Sequence, residues 1–247
     1  MFLKAKGIVL RETEYKDFDR ILTILTAENG LVTAKARGVK RKTTPIRGGC
    51  QLLAYSEFTF FDSKGMKTVD EAEPVELFAV LRDDLELLSL ASYFAQLAEL
   101  LSQEDVPNPE LLSLLLYALH ALCVGKEQTL VKAAVEFRLA AMAGFMPDLD
   151  GCAVCGNGFP DRFGIADGAL RCSTCRVPTD TGLFLPVSRG TLEAMRFLKD
   201  CPCAKLFSFT LGQSSLTELS GLAETYLLTR LERGFYTLDF YKSIKLT

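Results

Sequence analysis

The sequence predicts a multi-domain α+β chain: a small N-terminal β-barrel, then an α-helical domain with a four-cysteine module inserted in it. Three observations predict this. The apolar period changes near Pro74, from about two residues, as in strands, to about 3.6, as in helices. Two Cys-x-x-Cys pairs interrupt the helical part. Charge is divided unevenly: net +6 over residues 1–69, −11 over 70–150 and +2 over 151–247.

The first seventy residues read as β. Residues 7–11 and 20–27 are rich in branched side chains, which suit a pleated, half-buried surface. Asn29-Gly30 parts the second run from residues 31–38, and Asn-Gly favours a hairpin because both residues tolerate positive φ. Residues 51–62 give a fourth strand and 66–70 a short fifth. Five short strands around a small core fit a barrel or sandwich of the OB or SH3-like kind.

Beyond Pro74, residues 84–102 place Leu85, Leu88, Ala91, Phe94, Ala95, Ala98 and Leu101 on one helical stripe. Asn108-Pro109-Glu110 supplies an N-cap, a proline at the first position and an acid in the first turn, so a helix follows to about Gly125. Residues 128–146 form a third helix, ending near Gly144 and Pro147, and 188–199 a fourth. Ser215-Leu-Thr-Glu218 reads as a capping box for a last long helix to Arg233, stopped by Gly234. The expected domains are residues 1–76, a helical domain of 77–149 and 178–247, and a cysteine module of 150–177 inserted in it.

Cys152-Ala-Val-Cys155 and Cys172-Ser-Thr-Cys175 lie sixteen residues apart. Structural zinc takes four tetrahedral thiolates at about 2.3 Å, and two intervening residues let one tight turn aim both sulfurs at one ion. Gly156 follows the first pair, where such a turn often needs positive φ. Two disulfides could join the same thiols, but nothing else in the sequence points to an oxidising compartment. A catalytic zinc keeps an open position and often uses histidine. The chain has one histidine, His120, in a leucine-rich run that reads as core. The pairs therefore predict a closed structural zinc site. Cys50 and Cys123 read as small packing residues, and Cys201 and Cys203 as ordinary thiols.

Residues 30–50 hold six cations and no acid: Lys35, Arg37, Lys40, Arg41, Lys42 and Arg47. Strand alternation puts Val32, Ala34 and Ala36 on one face and Thr33, Lys35 and Arg37 on the other. Several cations on one face, followed by a basic loop, suit a phosphate backbone. Single strands also need rings to stack on. Tyr15, Phe18, Tyr55, Phe58, Phe60 and Phe61 are available; Phe58 and Phe60 share a face that suits the core, and Phe61, on the other face, is the better stacking candidate.

Enzyme signatures are missing from the sequence: it has no Walker A loop, no Gly-x-Gly-x-x-Gly after a strand, no Gly-x-Ser-x-Gly and no His-x-Glu. The acids of residues 70–150 read as solvated helix faces and ends. No apolar run reaches the length of a membrane span, and the N-terminus lacks a signal-peptide pattern. A cytoplasmic protein is expected.

Several stretches, in order, resemble the bacterial recombination mediator RecO family. They are Lys6-Gly-Ile-Val-Leu-Arg, Asp19-Arg-Ile-Leu-Thr-Ile-Leu-Thr, Gly30-Leu-Val-Thr-Ala-Lys-Ala-Arg-Gly-Val-Lys-Arg, Glu71-Ala-Glu-Pro74, and Gly144-Phe-Met-Pro-Asp-Leu followed by Cys152-x-x-Cys155-Gly156. The resemblance covers nearly the whole chain. It implies an OB fold, a helical domain with a zinc module, and no catalytic turnover. It also implies binding of single- and double-stranded DNA, strand annealing, and partnership with RecR and the single-stranded DNA-binding protein SSB. RecA would be placed on SSB-coated strands, near the nucleoid during repair. By position, Cys152, Cys155, Cys172 and Cys175 match the family's zinc cysteines, and Lys35, Arg37 and Lys40–Lys42 its basic hairpin region. Where the family often has Gln-Pro-Phe, this chain has Gln51-Leu52-Leu53, which leaves the following strand less defined. The other reading of the same residues is a zinc-stapled RNA-binding or translation-associated protein.

Overall fold

The computed structural model describes residues 2–62, 65–175 and 182–245. Five strands, β1 (Phe2–Tyr15), β2 (Asp19–Thr26), β3 (Gly30–Ala36), β4 (Tyr55–Phe61) and β5 (Lys67–Glu76), close into an OB-like barrel in the order β1-β2-β3-β5-β4. β3 and β5 run parallel; the other pairings are antiparallel. Closure depends on β1 serving two neighbours, with its second half on β2 and its first on β4. The handover falls at Gly7, which registers with both Thr26 and Ser56. A Cβ there would sit 2.7 Å from the Ile24 side chain and 2.8 Å from the Leu25 carbonyl oxygen.

The barrel interior is filled by Val9, Leu22, Ile24, Val32, Ala34, Ala36, Phe58, Phe60 and Val69. The Phe58 and Phe60 rings stack at 5.4 Å, and burying each is worth about 1.5–3 kcal/mol. Cys50 packs in the same core, where burial, then the nearby Glu12, pushes its thiol up to about 12.

Two strands depart from the sequence pattern. It ends the fifth strand at 70, but β5 pairs with β4 as far as Glu76. A bulge between Thr59 and Phe60 shifts the register, so the buried Val69 and Ala72 lie three apart and the period-two test fails. β1 runs on to Tyr15 and bulges likewise between Val9 and Arg11. β4 starts at Tyr55 rather than 51, because residues 51–53 form a turn with Leu53 at φ 63°.

The helices follow their caps. α1 (Val80–Asp83) is a single turn and α2 spans Leu85–Leu100. The Asp84 carboxylate accepts from the N–H groups of Glu86 and Leu87 at 2.8 and 3.1 Å. α3 (Pro109–Cys123) is capped by the Asn108 side chain, which accepts from Leu111 N–H at 3.2 Å. α4 (Gln128–Met142) is capped by Glu127. α5 (Arg189–Asp200), α6 (Gln213–Leu231) and α7 (Tyr236–Lys245) complete the set. The sequence reading missed α7, whose Thr237 bonds to Gln96 of α2 at 2.7 Å.

Ser215 and Glu218 are not a capping box. α6 begins earlier, at Gln213. The Glu218 carboxylate instead accepts from the Ser188 N–H, at 2.8 Å, and from the Thr191 hydroxyl. The four-residue spacing therefore serves the start of α5. His120 is a second correction. Ala118, Leu119, Ala121 and Leu122 are buried, whereas Tyr117 and His120, one turn apart, share the exposed side of α3. A third concerns the acids of 70–150: Glu136 is fully buried, and Lys132 bridges it at 2.9 Å to Glu224 at 2.7 Å, joining α4 to α6.

Packing divides the chain into two compact units: Met1–Cys123 with Phe235–Thr247, and Val124–Gly234. The first holds the barrel with α1–α3 and α7. The second holds α4–α6 and a four-stranded sheet of order β6-β8-β7-β9, made from β6 (Asp148–Cys152), β7 (Arg162–Gly164), β8 (Ala169–Arg171) and β9 (Phe184–Pro186). These units differ from the three expected domains, which followed composition and period; the expected edge at 177/178 lies outside the described residues. No helix among the described residues is long and apolar enough to cross a membrane.

Candidate nucleic-acid interface and metal centre

β3 runs from an acidic end to a basic one. Near its start, Leu31 N–H donates to the Gln103 carbonyl at 3.0 Å and the Thr33 hydroxyl to Glu104 at 3.1 Å. Further along, alternation turns Val32, Ala34 and Ala36 inward and leaves Lys35 half-buried and Arg37 exposed on the outer face. The loop that follows exposes Lys40, Arg41, Lys42 and Arg47. It is fastened to the β1–β2 turn: Lys40 N–H donates to the Phe18 carbonyl at 3.1 Å, and Gly38 N–H to the Asp19 carboxylate at 2.8 Å.

The linear count of six cations and no acid does not survive folding. β1 brings Glu12 and Glu14 alongside. Glu14 pairs with Lys40 and, at 3.2 Å, with Arg20, which also pairs with Glu12. The hydrogen bond from Lys40 is the largest influence on Glu14 and holds its carboxyl below the usual range. Lys35, Arg37, Arg41, Lys42 and Arg47 form no ion pair among the described residues. Lys35 and Arg41 lie over rings instead, Lys35 at 4.5 Å from the Tyr15 centroid and Arg41 at 5.0 Å from that of Phe18. The sequence reading missed Glu12 and Glu14 because it ended the first strand at residue 11. The alternation Glu12-Thr13-Glu14-Tyr15 was the available signal. Phe61 is 42% exposed and lies against Phe2 at 5.3 Å.

The second unit gathers the cysteines. The sulfurs of Cys152, Cys155, Cys172 and Cys175 all lie within 4.8 Å of one another. Cys155 and Cys172 are 3.8 Å apart, about the edge of a tetrahedron with 2.3 Å zinc–sulfur bonds. Two turns build the cluster: Gly156 N–H donates to the Cys152 carbonyl at 2.9 Å, and Cys175 N–H to that of Cys172 at 3.0 Å. Gly156 has φ +72°, as a tight turn after the first pair requires. The Asn157 amide donates to the Cys172 sulfur at 3.3 Å and Arg162 to the Cys172 carbonyl at 3.0 Å. Arg196 of α5 fastens the first turn, donating to the carbonyls of Leu149 at 3.0 Å and Gly158 at 2.8 Å.

The thiols behave as a set in need of a cation. Burial opposes charge on Cys152, yet the N–H groups of Cys155, Val154 and Cys172 bring it down to about 6. Cys175 is pushed up to about 12, first by its hydrogen bond with Cys155, then by burial and by repulsion from its neighbours. One anion thus forms at the expense of Cys172 and Cys175, both held up by their neighbours, and a divalent ion would let all four thiolates bind it. The donor set fits a closed, thiolate-held metal. Cys201 and Cys203 lie outside this cluster.

A closed OB-like barrel with a basic edge at the end of β3, followed in the chain by helices and a small sheet whose turns hold a four-thiol centre, defines the class of protein. Family models for the N-terminal and C-terminal regions of recombination protein O match residues 1–78 and 82–239, so the chain belongs to the RecO family. It is 33% identical over 246 residues to the DNA repair protein RecO of Acetivibrio thermocellus, covering 98% of this chain and 97% of that one. Identity to the DNA repair protein RecO of Desulforamulus reducens is 32% over 247 residues, covering 97% and 95%. For that of Bacillus pumilus it is 34% over 176 residues, covering 71% and 69%.

Proposed function

We propose that this chain is a non-enzymatic recombination mediator in DNA repair. The barrel binds single- and double-stranded DNA through its phosphates and anneals complementary strands. Together with RecR, the protein helps place RecA on SSB-coated DNA. It acts in the cytoplasm, at the nucleoid during repair. The helical part receives the protein partners, and the four thiolates hold a structural Zn2+ that fixes two turns and does no chemistry on DNA. The domain division follows that reading: an OB domain, a helical domain and an inserted zinc module. The observation that carries it is the basic face: Lys35 on the outer side of β3 and Arg37 just past its end, continued by Arg41, Lys42 and Arg47, all without ion pairs among the described residues.

The test is salt dependence. Changing Lys35, Arg37, Lys40, Arg41 and Lys42 to Ala should remove most of the slope of log K against log salt for single-stranded DNA, with the fold retained. An unaltered slope in the folded variant refutes the assignment. Competition with RNA of equal length decides between DNA and RNA. An annealing assay on SSB-coated complementary strands checks the mediator step.

A further inference from the structure

We propose that Phe18 and Tyr15 form a base-stacking platform for single-stranded DNA on the β1–β2 turn. This rests on the DNA-binding reading above and deepens it. Tyr15 ends β1 and Phe18 immediately precedes β2, so both rings stand on one short turn beside the basic strand. Phe18 is 50% exposed, an apolar ring left in water on a barrel whose central rings, Phe58 and Phe60, are fully buried.

Each ring is matched with a cation from the basic stretch. Arg41 lies over Phe18 at 5.0 Å, and Lys35 over Tyr15 at 4.5 Å with Lys16 at 5.5 Å. A nucleotide presents a π-face and an anion a few ångströms apart, and ring–cation pairs meet both at once. The turn is also held in place. The bonds from Lys40 N–H to the Phe18 carbonyl and from Gly38 N–H to Asp19 fasten the turn that carries Phe18 to the loop that carries Arg41. The loop between the first two strands of such a barrel is a usual oligonucleotide contact. Among the described residues Phe61 has no such cation; its ring neighbour is Phe2.

The chain contains no tryptophan, so Phe18→Trp gives a single reporter. Its fluorescence should be quenched on titration with oligo(dT). It should stay unchanged with an abasic oligonucleotide of the same length, which carries the phosphates alone. Phe18→Ala should weaken oligo(dT) binding by about tenfold, leave duplex affinity within about twofold, and keep the salt slope, since no cation is lost. Tyr15→Ala should act in the same direction.

Indole fluorescence of Phe18→Trp that stays unquenched while labelled oligo(dT) binds overturns the platform and leaves DNA binding standing. Absence of oligo(dT) binding by the native chain overturns both. If Phe18→Trp does not fold, the two alanine variants decide: equal loss for single-stranded and duplex DNA, or no loss, refutes stacking.

Discussion

Glu14→Gln measures what the first strand takes away from the basic face. In the native chain Glu14 pairs with Lys40 and Arg20, while Lys35, Arg37, Arg41, Lys42 and Arg47 form no ion pair among the described residues. At roughly 0.7 per neutralised phosphate on a single strand, five such contacts give a slope of about −3.5. Releasing Lys40 adds about −0.7. Raising salt from about 50 to about 200 mM should then weaken native binding by about 130-fold and the variant's by about 340-fold. Fluorescence anisotropy of labelled oligo(dT) across that range reads both slopes. Glu14→Gln/Lys40→Ala should lose the gain.

Acid should not imitate the substitution near neutrality. A carboxyl whose pKa is lowered on folding keeps its ion pair above the usual value of 4.5 and loses it only as pH falls through the lowered one. Between about pH 6 and 8 the native slope should therefore be constant as far as Glu14 is concerned. Equal slopes for native and Glu14→Gln proteins, both folded by circular dichroism, would refute the idea that Glu14 withholds a phosphate contact.

Three further outcomes are expected. Cys152→Ser with Cys155→Ser should abolish zinc binding, measured by metal analysis, and speed amide exchange around the cysteine turns while oligo(dT) affinity stays within about threefold, because the cations of the barrel lie in the other unit. Lys132→Met takes away the ammonium shared by Glu136 and Glu224 and should cost about 3–5 kcal/mol in urea unfolding, against under about 0.5 kcal/mol for the exposed Lys126→Met. Gly7→Ala puts a methyl 2.7–2.9 Å from Ile24, Leu25 and Thr26 and should destabilise the barrel by about 1–3 kcal/mol, read from the same urea titration.

Features set by neighbours in the chain could be read from the sequence. Asn108 caps the helix that follows it as its sequence implies, and the helical segments read from 84 and 188 begin where Asp84 and Ser188 cap them, because a cap acts over two or three residues. The Cys-x-x-Cys spacing alone specified the four-thiol cluster, since each turn needs only local hydrogen bonds. Features set by distant packing could not. The bulge facing Val69 and Ala72 exists because β4 and β5 must curve around a closed barrel. Ser215 and Glu218 form the pattern of a cap but meet Ser188 and Thr191, which lie far away in sequence. Glu136 has the composition of a surface acid and is buried because Lys132 reaches it from one turn away on the same helix.

The basic face shows the same limit in electrostatic form. Counting along residues 30–50 gives six cations and no acid, but potential is summed through space, over roughly 8–10 Å at ordinary salt. The β1–β2 hairpin sets the two strands side by side, and the turn between them is hydrogen-bonded to the loop after β3. That places Glu14 on Lys40 while leaving Arg37 and Lys42 in solvent. The same meander sets the rings of Tyr15 and Phe18 against Lys35 and Arg41, a juxtaposition that no short window of sequence contains. A single strand would therefore meet a narrower set of charges than the sequence suggests, with aromatic surface beside them. Selectivity for unpaired bases should then reside at the β1–β2 turn, and salt-dependent affinity at β3 and its loop.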